Sequence, residues 1–492
     1  MKLHEIAIEP QEEQESSNSE KLVDFKGHIL IIGLGSVGQA IVPIVLRHIT
    51  DDPKKVTVLE VGEHEKLFEE RWGSSGVEYV KLAIKKNNID ETLKKHLSDG
   101  DLLINVSLNI DGPTIVKWCL ENGVFYIDTS IERWEEESDE TIPKMNERTL
   151  YFAHDQIRKM AAPFKDKAAT CVITHGANPG LVSHFTKAAL LDIVHAMGHK
   201  VEVPKSREEW AALMEKSGTK VIHIAERDTQ VIDTPKVIGE FVNTWSCEGF
   251  WAEGRAPAEL GWGTHEDSMP AGGMQHKEGP RNAIYLSQPG VATLIKSWVP
   301  LGGHYNGFLV QHSEAVTISE YFSKTNGNNV TYRPTVHYAY CPTDAALASV
   351  HEFRGQELEM QHVKRIIKDE IVGGVDELGV LLMGGDYNAW WYGSQLDVNT
   401  ARKLIPNENA TSLQVVASML GAIVWMIKNP KKGMVEPEEL DFEEVLAVAR
   451  PYLGPMASIQ SDWKPIEDRN TLFKQKLNPN NPWGFENFRV WS

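Results

Sequence analysis

The stretch GHILIIGLGSVGQAIVPIVLRHI, residues 27–49, decides the fold of this chain. A short apolar run leads into three glycines, Gly33, Gly35 and Gly38, and an apolar-periodic segment follows them directly. Strand, tight turn and helix in this order are typical of a dinucleotide-binding unit. The first glycine allows the turn, the second lets the backbone approach a pyrophosphate, and the third lets the helix lie close to the strand.

The residues that follow these glycines indicate which dinucleotide binds. The predicted helix begins with Ser36 and Val37, whose N–H groups and helix dipole would bind phosphate oxygens. The segment 54–60, KKVTVLE, predicts a second strand that ends in Glu60. An acid at this point binds ribose hydroxyls and disfavours a 2′-phosphate, so NAD is predicted over NADP. The alternative is a glycine turn beside a solvent-facing glutamate.

The composition is that of an acidic globular protein with room for two or three domains. The 492 residues include 69 Asp and Glu against 50 Lys and Arg, which gives a formal charge of −19. This balance disfavours nucleic acid and anionic membranes as partners, and it permits a cationic substrate. The four cysteines form no CxxC pair, so no metal site and no dithiol redox site is predicted.

The same features lead us to expect a cytoplasmic protein. The N-terminus lacks the basic start and apolar core of a signal peptide. The longest apolar run, 415–427, is shorter than the roughly 20 residues that a membrane helix needs. Widely separated cysteines suit a reducing compartment.

Strands and helices alternate after residue 25, and this alternation predicts an α/β fold with a Rossmann-type doubly wound parallel sheet. Two helices are predicted, at 89–98 and 113–121. The predicted strands cover residues 27–32, 56–60, 77–82, 101–107 and 124–130.

The chain divides into four predicted parts. Residues 1–24 form a flexible acidic arm, and residues 25–177 form the NAD-binding Rossmann domain. Residues 178–435 form an α+β domain for substrate binding and dimerisation. Residues 436–492 form a C-terminal helix and a surface arm that wraps the body or a second subunit, and that could pack on the Rossmann domain.

The second domain is assigned a mixed sheet because several of its segments alternate apolar and polar residues, as strands do. These segments are 221–225, 237–254, 283–299 and 304–318.

Polar residues follow two strands of the predicted parallel sheet. Ser107 and Asn109 come after one strand, and Asp128 and Thr129 come at the end of the next. Ligands of open α/β sheets bind outside the carboxyl ends of the strands, so these residues are expected to line the cofactor or substrate site. Helix capping or turn formation is the alternative for Asn109 and Asp128.

An indole and two carboxylates stand out in the second domain. Trp245 lies between Glu226, at the end of a strand-like run, and Glu253. An aromatic face attracts an alkylammonium ion by about 0.5–2 kcal/mol, and carboxylates add charge-assisted hydrogen bonds. The alternative is that the tryptophan packs in the core and the acids are solvated charges.

Seven segments of the chain together carry a resemblance to a known family: GHILIIGLGSVGQ, DTSIERW, THGANPGLVSHF, AERDTQ, NTWSCEGFWAEG, FLVQHSEA and DFEEVLAVARPYLGP. Through them the chain resembles bacterial homospermidine synthase, of the saccharopine dehydrogenase-like group, over nearly its whole length after the N-terminal arm. The resemblance implies a tightly bound NAD and the joining of two putrescine molecules with release of ammonia. Oxidation to an imine, amine exchange and re-reduction by the retained NADH would make up the cycle.

Matched motif by motif, the resemblance implies roles for six residues and a homodimer. His312, near the nicotinamide, would carry protons, because an unperturbed histidine titrates at roughly 6.5; a satisfied core histidine is the alternative. The other five are the cation–π residue Trp245, the substrate-binding acids Glu226 and Glu253, the entrance acid Glu132 and the substrate-side amide of Asn178.

Two other functions stay open on the sequence alone. One is a saccharopine-type NAD-dependent amino-acid dehydrogenase, which would hold substrate carboxylates with residues such as Arg227 and Arg255. The other is a noncatalytic NAD-binding protein that converts no diamine.

Overall fold

The computed structural model describes residues 3–6, 21–135, 142, 144–327, 329–467, 469, 472–473 and 475–490. Most of the predicted acidic arm, residues 7–20, lies outside the described residues.

The described residues form strands in both halves of the chain. Up to residue 261 the strands are β1 Leu3–Ile6, β2 Ile29–Ile32, β3 Val56–Glu60, β4 Glu78–Lys81, β5 Leu102–Asn105, β6 Phe125–Asp128, β7 Cys171–Val172, β8 Thr219–Asp228, β9 Val231–Ile232, β10 Glu240–Asn243 and β11 Pro257–Gly261. The later strands are β12 Gly273–Gln275, β13 Ala283–Pro289, β14 Leu294–Val299, β15 Gly303–Phe308, β16 Lys324–Asn326, β17 Asn329–Tyr332, β18 Thr335–Cys341, β19 Val363–Ile366, β20 Ile371–Gly373, β21 Val375–Gly384, β22 Asn388–Asp397, β23 Met434–Val435 and β24 Met456–Ser461.

The α-helices pack mainly on the two large sheets that these strands form, one of seven strands and one of eleven. They are α1 Ser36–His48, α2 Glu65–Trp72, α3 Ile89–His96, α4 Gly112–Asn122, α5 Leu150–Ala161, α6 Leu181–Ala196, α7 Arg207–Ser217, α8 Cys247–Arg255, α9 Ser313–Tyr321, α10 Asp344–Gly355, α11 Val398–Leu404, α12 Ala410–Lys428 and α13 Phe442–Ala449.

A parallel sheet of seven strands forms the first domain, in the order β23-β7-β6-β5-β2-β3-β4. Every neighbouring pair in it is parallel. The predicted Rossmann-type sheet is therefore confirmed, and the strand predicted at 56–60 has those bounds. The edge strand Met434–Val435 comes from the far end of the chain, so the C-terminal part completes the first sheet.

A mixed sheet of eleven strands forms the second domain, as the sequence predicts. Its central strand β8 pairs in parallel with β18 and antiparallel with β21. Because β8 and β18 run in the same direction, their carboxyl-terminal residues lie side by side, and the candidate site described below is built there.

Two segments predicted as alternating strands contain helices. In 237–254 only Glu240–Asn243 is a strand, and a helix follows over Cys247–Arg255. Ser246 starts this helix, because its side chain accepts the N–H of Gly249. In 304–318 the strand ends at Phe308 and helix α9 begins at Ser313. The strand prediction was wrong for these parts.

The helix α12, Ala410–Lys428, runs through the core beside α1 and α13. Within the described residues it is long and apolar enough to cross a membrane by length and composition, but 89% of its apolar window is buried inside the protein. A helix that is apolar on all sides is stable when protein surrounds it, so α12 is a core helix.

The C-terminal part packs mainly on the second domain. Strand β24 extends the mixed sheet, and the backbone of Leu3–Ile6 pairs with it. The side chains of Trp463, Trp483 and Phe488 are buried against one face of that sheet. The tail thus covers the body of the protein with apolar side chains.

Candidate functional site

The glycine loop after β2 has the shape that a dinucleotide needs. Gly33 has a φ of +98°, and a Cβ atom there would lie 2.7 Å from the carbonyl oxygen of Val106. A Cβ atom at Gly38 would collide with the carbonyl oxygen of Gly33. Around Gly35 no atom lies within 4 Å of the Cβ position, so the loop is open on the side where a pyrophosphate would approach. These residues fit an NAD molecule.

Glu60 lies at the end of β3, beside this loop. Its carboxylate accepts hydrogen bonds from the backbone N–H groups of Leu34 and, at 2.5 Å, Gly62. Burial raises the pKa of Glu60, but the nearby His64 and the hydrogen bonds from these two N–H groups outweigh it and lower the pKa to about 2. The side chain is therefore an anion that holds the glycine loop in place.

A polar network connects the glycine loop to the second domain. The Gln39 side chain donates from Nε2 to Leu34 O at 3.0 Å, and its Oε1 accepts from Lys368 Nζ at 3.2 Å. The same ammonium group donates to both carboxylate oxygens of Glu408, at 3.0 and 2.9 Å. The Glu408 carboxylate is buried and Lys368 nearly so. We call these four residues the glycine-loop network.

The start of α12 continues this connection. Asn409 caps the helix by accepting the N–H of Ser412, and it donates to the carbonyl oxygen of Thr244 at 2.7 Å. The hydroxyl of Ser412 is hydrogen-bonded to that of Ser36, in the first turn of α1. The backbone segment next to Trp245 is thus held by the same helix that contacts the cofactor-binding helix.

The polar residues after β5 form a local turn. Asn105, which the sequence does not predict as a site residue, accepts the Ser107 hydroxyl at 2.6 Å. Asn109 has a φ of +63°, and its N–H donates to Glu132 Oε2 at 3.5 Å. The Ser130 hydroxyl donates to the other oxygen of Glu132 at 2.8 Å. The two strand ends therefore meet, as the sequence predicts for a parallel sheet.

Asp128 has internal partners on both carboxylate oxygens. It accepts the N–H of Thr174 at 2.6 Å and the hydroxyl of Tyr126 at 2.8 Å. Burial raises the pKa of Asp128 to about 7. These contacts connect the end of β6 to the segment that follows β7. Its neighbour Thr129 is half-buried and lies against Gly176, where a Cβ atom would be 3.4 Å from the Thr129 side chain.

The amide of Asn178 and the carboxylate of Glu226 meet at the junction of the two domains. Asn178 Nδ2 donates to Glu226 Oε2 at 2.7 Å, and the hydroxyl of Tyr338 donates to the same oxygen. Burial raises the pKa of Glu226 to about 7, although both hydrogen bonds oppose the shift. This carboxyl group can therefore gain or lose a proton near neutral pH.

His312 lies between two carboxylates. Its Nε2 is 3.2 Å from Glu253 Oε2, and its Nδ1 is 3.1 Å from Glu314 Oε1. Burial alone would lower the pKa of His312, but the two carboxylates outweigh it and hold the pKa well above its usual value. The two carboxylates therefore favour the protonated ring, whereas an unperturbed histidine would be largely neutral at neutral pH.

Trp245 lies against the aromatic side chains of the same site. Its indole N–H donates to the Tyr340 hydroxyl at 3.1 Å, and its ring packs on Phe250 at 5.9 Å between centroids. Tyr340 stacks on Tyr338 at 5.1 Å and is opposite Glu226 in the β8–β18 register. The indole is half-buried, so it is not a plain core residue.

Glu132 and Glu253 are close enough to affect each other. The pKa of Glu132 is raised by burial first and by the negative charge of Glu253 as well. The Glu253 side chain is 25% exposed. An amine entering between these two carboxylates would relieve their repulsion.

Three residues of this site are not predicted from the sequence. Tyr338 and Tyr340 are two residues apart on one strand, so their side chains lie on the same face. This spacing is the sequence signal that links them. Glu314 follows His312 by two residues within FLVQHSEA, and proximity in the chain is its one signal.

Two protein-family models match most of the chain. Residues 29–172 match the saccharopine dehydrogenase NADP binding domain family, and residues 176–461 match the saccharopine dehydrogenase C-terminal domain family. The chain is 42% identical to a homospermidine synthase of Mesorhizobium japonicum, over 95% of this chain and 97% of that protein. It is 40% identical to one of Blastochloris viridis, over 94% and 97%.

Solved structures agree with these sequence matches. The homospermidine synthase of Legionella pneumophila, crystallised in complex with NAD, superposes with a TM-score of 0.88 at 41% identity, over 95% of this chain and 98% of that one. Saccharopine dehydrogenase of Saccharomyces cerevisiae, at 13% identity and a TM-score of 0.50 over 88% and 99%, shares the fold alone. The chain therefore belongs to the homospermidine synthase family, within the saccharopine dehydrogenase-like group.

Proposed function

We propose that this protein is an NAD-dependent homospermidine synthase that joins two putrescine molecules and releases ammonia. The observation that carries the proposal is the pair of carboxylates, Glu226 and Glu253, on strand and helix ends around the half-buried indole of Trp245. A diamine with ammonium groups at both ends needs two separated anions and tolerates an aromatic wall between them.

The cofactor-binding residues proposed for this reaction lie on the first domain. The glycine loop with Gly33, Gly35 and Gly38 would hold the pyrophosphate, and Glu60 the ribose. Bound NAD would accept a hydride from the amine-bearing carbon of putrescine and later return it to the secondary imine. Further proposed cofactor contacts are Ser36, Val37, Ser107, Asn109 and Thr129, with Asp128 bracing their loop.

The two acids have different environments and therefore different proposed roles. Glu226 is buried with a pKa near neutrality, so it would take the proton that an attacking amine must lose. The amide of Asn178, on the same oxygen, would orient that amine. Glu253 is ion-paired with His312 and would hold an ammonium group, while Glu132 would attract amines at the entrance. The ring of Trp245 would stabilise cationic intermediates.

An amino-acid dehydrogenase is less well supported, because the arginines it would need are engaged elsewhere. Arg227 donates to the carbonyl oxygen of Gly302, and Arg255 lies over the ring of Trp251 at 4.1 Å. Net reduction of NAD with an amino acid would favour that enzyme. Binding of NAD with no conversion of diamine would favour a noncatalytic protein.

One assay separates the three functions. The purified protein is incubated with NAD and with putrescine deuterated at the amine-bearing carbons. We expect homospermidine and ammonia without net NADH formation, and we expect the transferred deuterium in the product. Complete loss of that deuterium to solvent would contradict an internal hydride transfer.

We also propose a cytoplasmic homodimer. Five apolar side chains in or next to the small β9–β20 and β10–β19 sheets are exposed, and Ile238 among them is 95% exposed. Exposed apolar patches mark interaction surfaces, and a second copy of this chain is the proposed partner. The other four side chains are Val231, Val237, Val363 and Val372.

A further inference from the structure

Glu314 is a buried carboxylate that the proposed cycle does not use. It lies in the first turn of α9, and its side chain is 1% exposed. One oxygen, Oε1, is 3.1 Å from His312 Nδ1. The other oxygen, Oε2, is buried without a hydrogen-bond partner among the described residues. A buried carboxylate is costly unless a cation compensates it, so His312 is the partner that explains its presence here.

The groups that face His312 make the ring a bridge between two anions. Glu314 contacts Nδ1 and Glu253 contacts Nε2, while the Tyr338 ring packs on the imidazole at 4.2 Å between centroids. Behind Tyr338 lies the carboxyl group of Glu226. With a carboxylate at each nitrogen, both nitrogens carry protons and the ring is charged.

We propose that Glu314 is a positioning residue, which keeps His312 charged so that its Nε2–H holds the Glu253 carboxylate in place for a substrate ammonium group. Glu314, His312 and Glu253 form a row of charged groups, and Glu253 lies at its partly exposed end. The proposal rests on the proposed function in one respect, the identity of the ammonium ligand. The charge of the His312 ring does not depend on that function.

The charge count explains why the row needs its inner member. Two carboxylates and one imidazolium leave a single negative charge, which matches one ammonium group. If Glu314 loses its charge, an imidazolium paired with Glu253 leaves the row neutral. If the ring then loses its proton instead, the single negative charge is kept, but the hydrogen bond that holds the Glu253 carboxylate in place depends on which nitrogen of His312 carries the proton. Either result weakens ammonium binding at Glu253.

The test compares Glu314→Gln with a matched control, Glu438→Gln. Glu438 is also a buried carboxyl group, and it accepts the hydroxyls of Thr317 on α9 at 2.8 Å and of Ser183 on α6 at 2.7 Å. We expect E314Q to raise the KM for putrescine about tenfold or more, with a smaller change in kcat. The control is expected to keep the wild-type KM.

A second readout follows the ring itself. In histidine-labelled protein, NMR should show His312 charged through neutral pH in the wild type and in E438Q. In E314Q its titration should move down in pH, and kcat/KM should gain a step at the same pH. Glu314→Asp, which restores the charge, should return the titration toward the wild type. If E314Q does not fold, the wild-type titration still tests the inference, because a His312 ring that is neutral at pH 7 in the wild type would overturn it.

The outcomes are distinguishable. A charged His312 and an unchanged KM in E314Q would overturn the inference. If the wild type makes no homospermidine but its ring titrates as expected, the proposed function fails while the role of Glu314 in charging the ring stands.

Discussion

Asn178 Nδ2 donates a hydrogen bond to Glu226 Oε2 across 2.7 Å and so joins the loop after the NAD-binding sheet to the central strand of the second domain. The burial that accompanies this contact raises the pKa of Glu226 to about 7. The same carboxyl group is therefore neutral below this pH and an anion above it.

The first prediction concerns pH. Because Glu226 must lose its proton to accept one from an amine, kcat/KM for putrescine should rise as the pH passes about 7. Glu226→Gln should remove this rise and lower activity at least about a hundredfold, within the range for loss of a general base. A pH–rate profile with saturating NAD checks it. An unchanged rising limb in the variant would assign the titration to another group.

The second prediction concerns the indole. Trp245→Ala should lower kcat by about tenfold or more, since a desolvated cation–π contact is worth up to about 2 kcal/mol. Trp245→Phe retains an aromatic ring, so its kcat should lie between those of the wild type and the alanine variant. NAD content after denaturation should match the wild type in both variants, because the indole contacts Tyr340 and Phe250 in the second domain. Wild-type turnover in the alanine variant would remove Trp245 from the mechanism.

The third prediction separates two acids of one helix. Glu253→Gln should raise the KM for putrescine about tenfold and leave NAD affinity unchanged, because an ammonium group loses a charged partner. The control is Glu248→Gln, because Glu248 lies on the same helix as Glu253 and forms a surface ion pair with Lys364 of β19. It should change neither the KM for putrescine nor the NAD affinity. Equal effects of the two substitutions would mean that Glu253 is ordinary surface charge.

The fourth prediction concerns retention of the cofactor. Glu408→Gln leaves Lys368 without its buried counter-ion and should loosen the contact of the second domain with the glycine loop. NAD should then dissociate about tenfold faster, as seen by the NAD that remains after gel filtration over time. Glu444→Gln, which removes an exposed ion pair with Lys428, should retain NAD as the wild type does.

The fifth prediction tests the apolar patch. Ile238→Glu places a charge on the proposed dimer surface and should convert the protein to monomer, measured by light scattering after size exclusion. Leu301→Glu is the control, because that residue is 65% exposed elsewhere on the second domain. A dimeric mass in the Ile238 variant would move the interface to another surface.

The first domain could be predicted closely from the sequence, because its signals are local. Three glycines, a buried run and an acid at a fixed distance specify the strand, turn and helix, and the strand at 56–60 has the predicted bounds. The helix at Cys247–Arg255 could not be predicted from alternation, since the same apolar spacing suits a strand. The helix is favoured over a strand because the Ser246 hydroxyl caps its first turn.

The site could be predicted only in part, because its contacts join residues far apart in the chain. The side chains of Asn178 and Glu226 are 48 residues apart and meet through the junction of two domains. Tyr338 reaches Glu226 through strand pairing across 112 residues. For His312 the amino-acid type alone suggests a proton carrier, and the two carboxylates that favour a charged ring are visible only in the structure.

The glycine-loop network has a consequence for how the enzyme depends on the cell. The carbonyl oxygen of Leu34 is connected through Gln39 and Lys368 to a carboxylate of the other domain, so a movement of the loop that released the dinucleotide would disturb a buried ion pair. A nicotinamide kept in this way would be oxidised and reduced within one turnover. The rate of polyamine synthesis would then depend on the diamine concentration and would not change with the ratio of free NADH to NAD.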